Sequence, residues 1–165
     1  MKKGFTLIEL LLYVGILSFV LLVVSIFLAA LLSANAKNQT IAEVEGQGLA
    51  AMQIITQALR NADFVNSPAA GTSAASLSIN TIIPANNPTI FDLSGGNIRI
   101  NEAGTTVVLN NSRVIVSGLS FSNLSRVGTP GIIRIQFTLT HANPDGRNEY
   151  NFSKTFTTAA ALRWP

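Results

Sequence analysis

The chain has no cysteine and very little charge. The lack of cysteine excludes disulfide frameworks, cysteine-ligated zinc, iron–sulfur clusters and thiol nucleophiles. Charged residues make up 12% of the 165 residues, whereas ~25% is usual in soluble domains. With 48% hydrophobic residues, this composition excludes a disordered chain and a charged coiled coil, and it points to a membrane segment.

Motifs that carry chemistry are also missing from the sequence. There is no glycine-rich phosphate-binding loop, no dinucleotide-binding fingerprint and no nucleophile elbow. His141 is the single histidine, and at a strand end it is more typical of a structural side chain. We therefore expect no enzyme activity, no catalytic residues, no cofactor and no metal ion.

One metal alternative stays open at a turn near the end of the chain. Oxygen ligands for calcium could come from Asn143, Asp145, Asn148 and Glu149. Their spacing does not fit an EF-hand loop, and a hairpin turn uses the same residue types.

Positive charge is concentrated in the second half of the chain. Residues 97–165 hold six arginines and Lys154 against Glu102, Asp145 and Glu149, a local charge of +4. Such a surface could contact DNA phosphates, although a solvated face accounts for the same residues.

A long apolar run lies near the start of the chain. No charged residue occurs from Leu10 to Ala36, and nearly every residue from Leu10 to Leu32 is strongly apolar. About 20 such residues in a helix cross a hydrocarbon core of ~30 Å. Because Lys2 and Lys3 precede the run, we expect a cytoplasmic N-terminus and the rest of the chain across the membrane.

Three interpretations of this run compete. The first is a single-pass anchor carrying a β domain that binds a ligand. The second is a secretory signal peptide cleaved after Ala36, although the run is longer than the ~7–15 residues of a signal peptide's apolar region. The third interpretation depends on Glu9. A carboxylate costs ~2.5–3.5 kcal/mol at the centre of a membrane helix, and neither of the first two interpretations explains why one is present.

A nearby cation would offset the cost of Glu9. If the chain were cut after Gly4, the new α-amine of Phe5 would lie within reach of Glu9 on a neighbouring copy. At ~4 Å and an effective dielectric constant near 20 their attraction is worth ~4 kcal/mol. We therefore interpret Glu9 as the residue that sets the register between neighbouring subunits.

The segment from Lys2 to Leu10, Lys-Lys-Gly-Phe-Thr-Leu-Ile-Glu-Leu, resembles the leader and mature start of type IV pilin-like proteins. The resemblance implies that a prepilin peptidase cuts after Gly4 and methylates Phe5, and that Glu9 is required for assembly. It also implies other pilin subunits, an inner-membrane assembly platform and the lipid bilayer as partners.

Looser motifs further along are similar to J-type pseudopilins and W-type minor pilins. They are Gln57–Ala62, Ser94–Asn97, Val116–Phe121 and Ile132–Ile135. The membrane segment lacks the proline of many major pilins, and no disulfide can form, which favours a minor or secretion-type subunit.

Past the membrane segment a helical pattern continues. Apolar and small residues recur every three or four positions and predict one buried helix face: Ile41, Val44, Gly48, Met52, Ile55, Leu59 and Ala62. We expect one helix from about Phe5 to Ala62, with a stop signal at residues 66–68. Two helices broken at Asn35 or at Gly46 and Gly48 are the alternative.

The second half of the sequence has the pattern of short strands and turns. After a linker at residues 68–75, we predict strands at Leu77–Ile83, Thr89–Leu93, Asn97–Ile100, Thr105–Leu109, Val114–Val116, Leu119–Leu124, Ile132–His141 and Glu149–Thr158. The last two are expected to form an antiparallel hairpin, since residues 143–146 are turn formers. Lys154 falls on the apolar side of its strand without an explanation other than snorkelling at a sheet edge.

The sequence therefore predicts an α+β, pilin-like fold in which a long N-terminal helix packs on an antiparallel sheet. The expected divisions are a leader at 1–4, a membrane or filament-core half of the helix at 5–36, an amphipathic half at 37–67 and a β-rich head at 68–165. The expected function is that of a minor subunit of a type IV pilus, competence pilus or secretion pseudopilus. The expected location is the inner membrane and then a periplasmic or cell-surface filament.

Overall fold

A computed structural model describes residues 6–126 and 131–162 of the chain. The predictions at Gly4 and Phe5 lie outside these residues. The described residues fall into two compact units, the first ending at Gln39 and the second beginning at Thr40.

The first unit consists, in its described part, of the start of helix α1, which begins at Leu7 and ends at Arg60. Every side chain from Thr6 to Asn35 is exposed. An 18-residue window of this helix has a mean hydropathy of 2.9 with none of it buried, so it is long and apolar enough to cross a membrane.

Three serines in this part of α1 donate hydrogen bonds from their hydroxyl groups to backbone carbonyls of the same helix. Ser18 and Ser25 each donate to the carbonyl four residues earlier at 2.8 Å, and Ser33 does so at 3.0 Å. Backbone bonding of this kind removes the need for water at each hydroxyl. The serines are therefore compatible with a lipid environment.

In the second unit, the rest of α1 buries the predicted face. The buried residues are Thr40, Val44, Gly48, Ala51, Met52, Ile55 and Leu59. The helix is continuous from Leu7 to Arg60, so the alternative of two helices broken at Asn35 or the glycines is wrong.

The helix ends earlier than residue 67, the boundary expected for its amphipathic half. Residues 62–67 form strand β1 (Ala62–Ser67), which pairs antiparallel with β3. Phe64 and Val65 have high strand propensity, and the hydrogen bonds to β3 replace those that another helical turn would make. The stop signal at Pro68 thus ends a strand and not the helix.

The described residues of the head form nine strands in two antiparallel sheets, where the sequence predicted one sheet. Their bounds are β1 Ala62–Ser67, β2 Ser73–Ala74, β3 Leu77–Thr81, β4 Thr89–Ser94, β5 Asn97–Glu102, β6 Thr105–Val108, β7 Val114–Asn123, β8 Ile132–His141 and β9 Ser153–Ala161. One sheet has the order β1-β3-β4-β5-β6 and the other has the order β2-β7-β8-β9. Short 3₁₀ turns occur at Pro84–Asn86 and Asn148–Tyr150.

Two strand predictions merge in β7. The register with β8 shifts between Ser117 and Ser120, and Gly118 has a φ of +61°, which only glycine adopts freely. The shift is a β-bulge that lets one strand continue where the sequence suggested two. The expected linker at 68–75 likewise contributes β2, which pairs with β7.

The predicted final hairpin is confirmed, but both ends of its second strand differ from the prediction: the strand is Ser153–Ala161 instead of Glu149–Thr158. In β8, Ile133, Ile135, Phe137 and Leu139 are fully buried, and β9 pairs with β8 over its whole length. Strand β9 begins at Ser153 because Asn148–Tyr150 form the 3₁₀ turn instead of the first strand residues. Both sheets and the 40–60 part of α1 share one hydrophobic core, which confirms the α+β class.

Candidate functional site

Glu9 lies in the first turn of α1 beside Thr6. The backbone N–H of Glu9 donates to Thr6 Oγ1 at 3.4 Å, and Thr6 Oγ1 donates to Glu9 Oε2 at 3.5 Å. Thr6 therefore acts as the N-cap residue of the helix, and the Thr-x-x-Glu spacing is that of a capping box. Sequence reasoning missed this local role of Glu9, although the spacing itself could have revealed it.

Capping accounts for only part of the environment of Glu9. Both contacts are at the long end of hydrogen-bond geometry, and Thr6 carries no charge. Among residues 6–126 and 131–162, the ion pairs are Arg99–Asp92, Arg147–Glu149 and Lys154–Glu45. In the described part of its own chain, Glu9 thus gains a cap but no cation.

His141 occupies the end of β8 and stacks on Tyr150, with ring centroids 5.5 Å apart. Its Nδ1 is buried, with no hydrogen-bond partner among the described residues. The guanidinium of Arg147 lies 5.2 Å from the centre of the Tyr150 ring. The group contains three planar side chains, and no carboxylate among the described residues bonds to His141 Nδ1 as in a catalytic triad.

Two of the four residues considered as calcium ligands, Asn143 and Glu149, bond to Arg147 instead. Asn143 accepts the Arg147 N–H at 2.9 Å and donates to its carbonyl at 2.8 Å. Glu149 Oε1 accepts from Arg147 Nη2 at 2.6 Å, and its pKa is lowered, first by a bond from its own backbone N–H and then by Arg147. Across the described ranges, no group of three His, Cys, Asp or Glu side chains could hold a metal ion.

Several of the cations considered for DNA contact are paired. Arg99 makes a two-bond contact with Asp92 at 2.8 and 2.7 Å, and this hydrogen bonding raises the pKa of Arg99. Arg147 pairs with Glu149, and Lys154 with Glu45. Less positive charge is therefore available to phosphate than the sequence suggests.

Polar contacts join strand β9 and the β6–β7 loop to residues 43–47 of α1. Lys154 Nζ donates to Glu45 Oε1 at 2.5 Å, and Asn111 Nδ2 donates to Glu43 Oε1 at 2.5 Å. Asn111 also donates its backbone N–H to Gln47 Oε1 at 3.3 Å. The ion pair with Glu45 explains why Lys154 is found on the apolar side of its strand, a position for which the sequence offered no partner.

No family model matches the chain, and no curated protein or solved structure matches it either. What is established is the architecture: a single long apolar helix near the N-terminus, whose second part packs on antiparallel sheets. That arrangement is consistent with a pilin-like protein, and the similarity of residues 2–10 to pilin leaders is a separate line of support.

Proposed function

We propose that this chain is a minor subunit of a type IV filament system: a pilus, a competence pilus or a secretion pseudopilus. Its apolar helix holds it in the inner membrane with a cytoplasmic N-terminus. A prepilin peptidase cuts after Gly4 and methylates Phe5, and an assembly platform then draws the subunit into a filament. The J- or W-like layout favours a place at the tip, with no catalytic role.

The observation that carries the proposal is the environment of Glu9. The carboxylate stands on a helix whose side chains from Leu7 to Leu32 are exposed and mostly apolar, and Thr6, which donates a hydrogen bond to it, is neutral. A carboxylate in such a segment is costly unless it is compensated. The α-amine of Phe5 on an adjacent copy supplies the missing charge, and its attraction of ~4 kcal/mol at ~4 Å and an effective dielectric constant near 20 offsets the cost of placing the carboxylate there.

The second observation that supports the proposal is the difference in burial between the two parts of the helix. Residues 40–60 bury their apolar face within the head, whereas the 7–32 segment has an apolar surface on every side and buries none of it. A helix that is apolar all round needs lipid or other apolar helices around it. We propose that the subunit assembles when the lipid around this segment is replaced by the apolar helices of neighbouring subunits.

Mass spectrometry of the mature N-terminus tests the processing step. The protein is purified from the membranes of the cells that naturally produce it, and its first peptide is sequenced. An N-methylated Phe5 is the expected result. A start at Lys37 indicates secretory cleavage, and an unprocessed N-terminus indicates a plain anchor for a ligand-binding head; either result contradicts the proposal.

A further inference from the structure

Four segments of the chain carry the acceptor motif for N-linked glycosylation, Asn-x-Ser/Thr with x other than proline. Their asparagines are Asn38, Asn110, Asn123 and Asn151. In this modification the side-chain nitrogen of the asparagine receives the sugar, and the transferase recognises the hydroxyl group two residues later. Both groups must therefore be accessible, and the structure shows which motif meets this condition.

The first motif lies inside helix α1, which is continuous from Leu7 to Arg60. Asn38 is exposed, but Thr40, which supplies the hydroxyl group of the motif, is only 2% exposed. Residues two positions apart do not face the same way on a helix. A transferase therefore cannot reach the amide and the hydroxyl group of this motif together while the helix is formed.

The asparagines of the next two motifs are buried in the head. Asn110 is 8% exposed and Asn123 is 4% exposed. Asn110 Nδ2 donates to Asn97 Oδ1 at 2.9 Å, and Asn123 Nδ2 donates to the Pro68 carbonyl at 2.8 Å. Because the nitrogen that would receive the sugar is buried and hydrogen-bonded in both cases, neither asparagine is an acceptor in the folded head.

The fourth motif presents both groups to solvent. Asn151 follows the 3₁₀ turn Asn148–Tyr150 and precedes β9, with a φ of −83° and a ψ of 87° that belong to neither a helix nor a strand. Asn151 and Ser153 are exposed, whereas Phe152 between them is half-buried and packs against the core. A transferase can therefore approach the amide and the hydroxyl group of this motif from the same side.

The acceptor segment lies at the end of the β8–β9 ladder. Ser153 belongs to the last residue pair of that ladder, Thr140↔Ser153, and ladder ends open at little cost in free energy. Beyond this pair, the His141 N–H donates to the Phe152 carbonyl at 2.9 Å. Opening of these two contacts makes the whole motif available in an extended form, without disturbing the buried part of β8.

A carboxylate two residues before Asn151 distinguishes this motif from the other three. Glu149 stands at that position, where the other motifs have alanine, valine and phenylalanine. A longer form of the acceptor motif, Asp/Glu-x-Asn-x-Ser/Thr, includes such an acid, because the carboxylate can pair with a cation of the transferase. Residues 149–153 match the longer motif at every position.

Glu149 is held by Arg147 in the folded chain. Arg147 Nη2 lies 2.6 Å from Glu149 Oε1, and the two side chains are 55% and 17% exposed. Hydrogen bonds from its own backbone N–H and from Arg147 lower the pKa of Glu149, which keeps the carboxylate charged. Ion pairs with so exposed a partner are held weakly, so a cation of the transferase can replace Arg147.

We propose that Asn151 is the acceptor of N-linked glycosylation by a membrane transferase whose donor is an oligosaccharide joined to a lipid through a diphosphate. Nδ2 of Asn151 attacks C1 of the first sugar, and the new N–C1 bond replaces the C1–O bond to the diphosphate. The lipid diphosphate leaves with the electron pair of that bond, and the amide nitrogen loses one proton to a base of the transferase. The Ser153 hydroxyl group and the Glu149 carboxylate position the segment.

The inference rests on one part of the proposed function, namely that the head lies across the membrane from the cytoplasm. A lipid-linked donor fits this location, since a charged nucleotide sugar does not cross a bilayer unaided. Cleavage after Gly4 and filament assembly are not required. A start at Lys37 or an unprocessed anchor leaves the head on the same side, so failure of the processing proposal is distinguishable from failure of this one.

Trypsin separates the four motifs into different peptides. Cleavage after lysine and arginine gives residues 38–60, 100–113, 114–126 and 148–154. The full chain is purified from the membranes of the cells that naturally produce it, and each peptide is analysed by mass spectrometry with electron-transfer fragmentation. We expect the 148–154 peptide to carry an oligosaccharide on Asn151 and the other three peptides to be unmodified.

Matched variants produced in the same cells test each group of the motif. Asn151→Gln and Ser153→Ala should abolish the modification, whereas Asn148→Gln and Ser153→Thr should retain it. Glu149→Gln should lower the modified fraction about tenfold, because a neutral amide cannot replace a carboxylate in a charge-assisted hydrogen bond. Circular dichroism checks that each variant keeps its fold.

Several results would overturn the proposal. They are an unmodified 148–154 peptide in the wild type, a sugar on Asn148, or full modification of Ser153→Ala. A sugar on any of the other three motifs would show that accessibility in the folded head does not select the acceptor. Full modification of Glu149→Gln would exclude the longer motif, and a single hexose in place of an oligosaccharide would exclude the lipid-linked donor.

Discussion

Gly48 on α1 lies directly against the ring of Phe156 on β9. A Cβ atom at position 48 would lie 2.2 Å from Cζ and 2.3 Å from Cε2 of that ring. Phe156 in turn stacks on Phe137 with ring centroids 5.6 Å apart. The missing side chain of Gly48 therefore allows the sheet to approach the helix.

Gly48→Ala is expected to destabilise the head by about 1–3 kcal/mol, since the added methyl group must displace a ring that is already packed. Gly46→Ala is the matched control, because nothing lies within 4 Å of a Cβ there. It should stabilise the helix by about 0.5–1 kcal/mol. Urea unfolding of the full chain in micelles, followed by circular dichroism, measures both values, and equal stability of the two variants would contradict this account.

Asn110 is expected to be one of the most sensitive polar positions in the head. It is 8% exposed. Its Oδ1 accepts the Ile98 N–H at 2.8 Å, and its Nδ2 donates to Asn97 Oδ1 at 2.9 Å. Asn110→Ala leaves a buried N–H without an acceptor and should cost about 1–3 kcal/mol.

The exposed Asn148 provides the control for Asn110. Asn148→Ala should change the free energy of unfolding by less than about 0.5 kcal/mol. If the two alanine variants unfold at the same urea concentration, the network around Asn110 does not stabilise the fold as we infer.

Glu9→Gln separates the two roles of Glu9. Glutamine also serves in a capping box, so the helix start should be retained while the negative charge is lost. We expect normal membrane insertion and cleavage, but reduced incorporation into filaments, measured by immunoblot of sheared filaments against the membrane fraction.

Glu9→Ala removes both the cap and the charge and should show the same assembly defect. If Glu9→Gln assembles normally and only Glu9→Ala is defective, Glu9 acts through the cap. Normal assembly of both variants would show that Glu9 has no role in filament assembly.

Glu45→Gln tests the ion pair with Lys154. Both side chains are partly exposed, at 42% and 44%, so the pair should contribute only about 0.2–1 kcal/mol. The difference from wild type should shrink as salt is raised. A larger effect that does not respond to salt would mean that Glu45 stabilises the head through something other than its ion pair with Lys154.

Part of the candidate site could be predicted from the sequence. Glu9 stands out because one acid in an apolar run is conspicuous, and the face formed by Val44, Ile55 and Leu59 follows from helical periodicity. The partner of Lys154 could not be predicted, since Glu45 lies 109 residues away along the chain and no local pattern relates the two. Gly48 could be placed on the buried face, but its contact with Phe156 required the packed structure.

The sequence by itself determined the long apolar helix, the buried face of its second part and the alternation in β8, because these depend on spacing along one element. Tertiary structure alone decided that residues 62–67 form a strand, that β7 continues through a bulge at Gly118 and that the strands divide between two sheets. It also decided that β9 lies at an open edge. Strand pairing joins residues that are distant in sequence, and its hydrogen bonds form only once the hydrophobic core has brought those residues together.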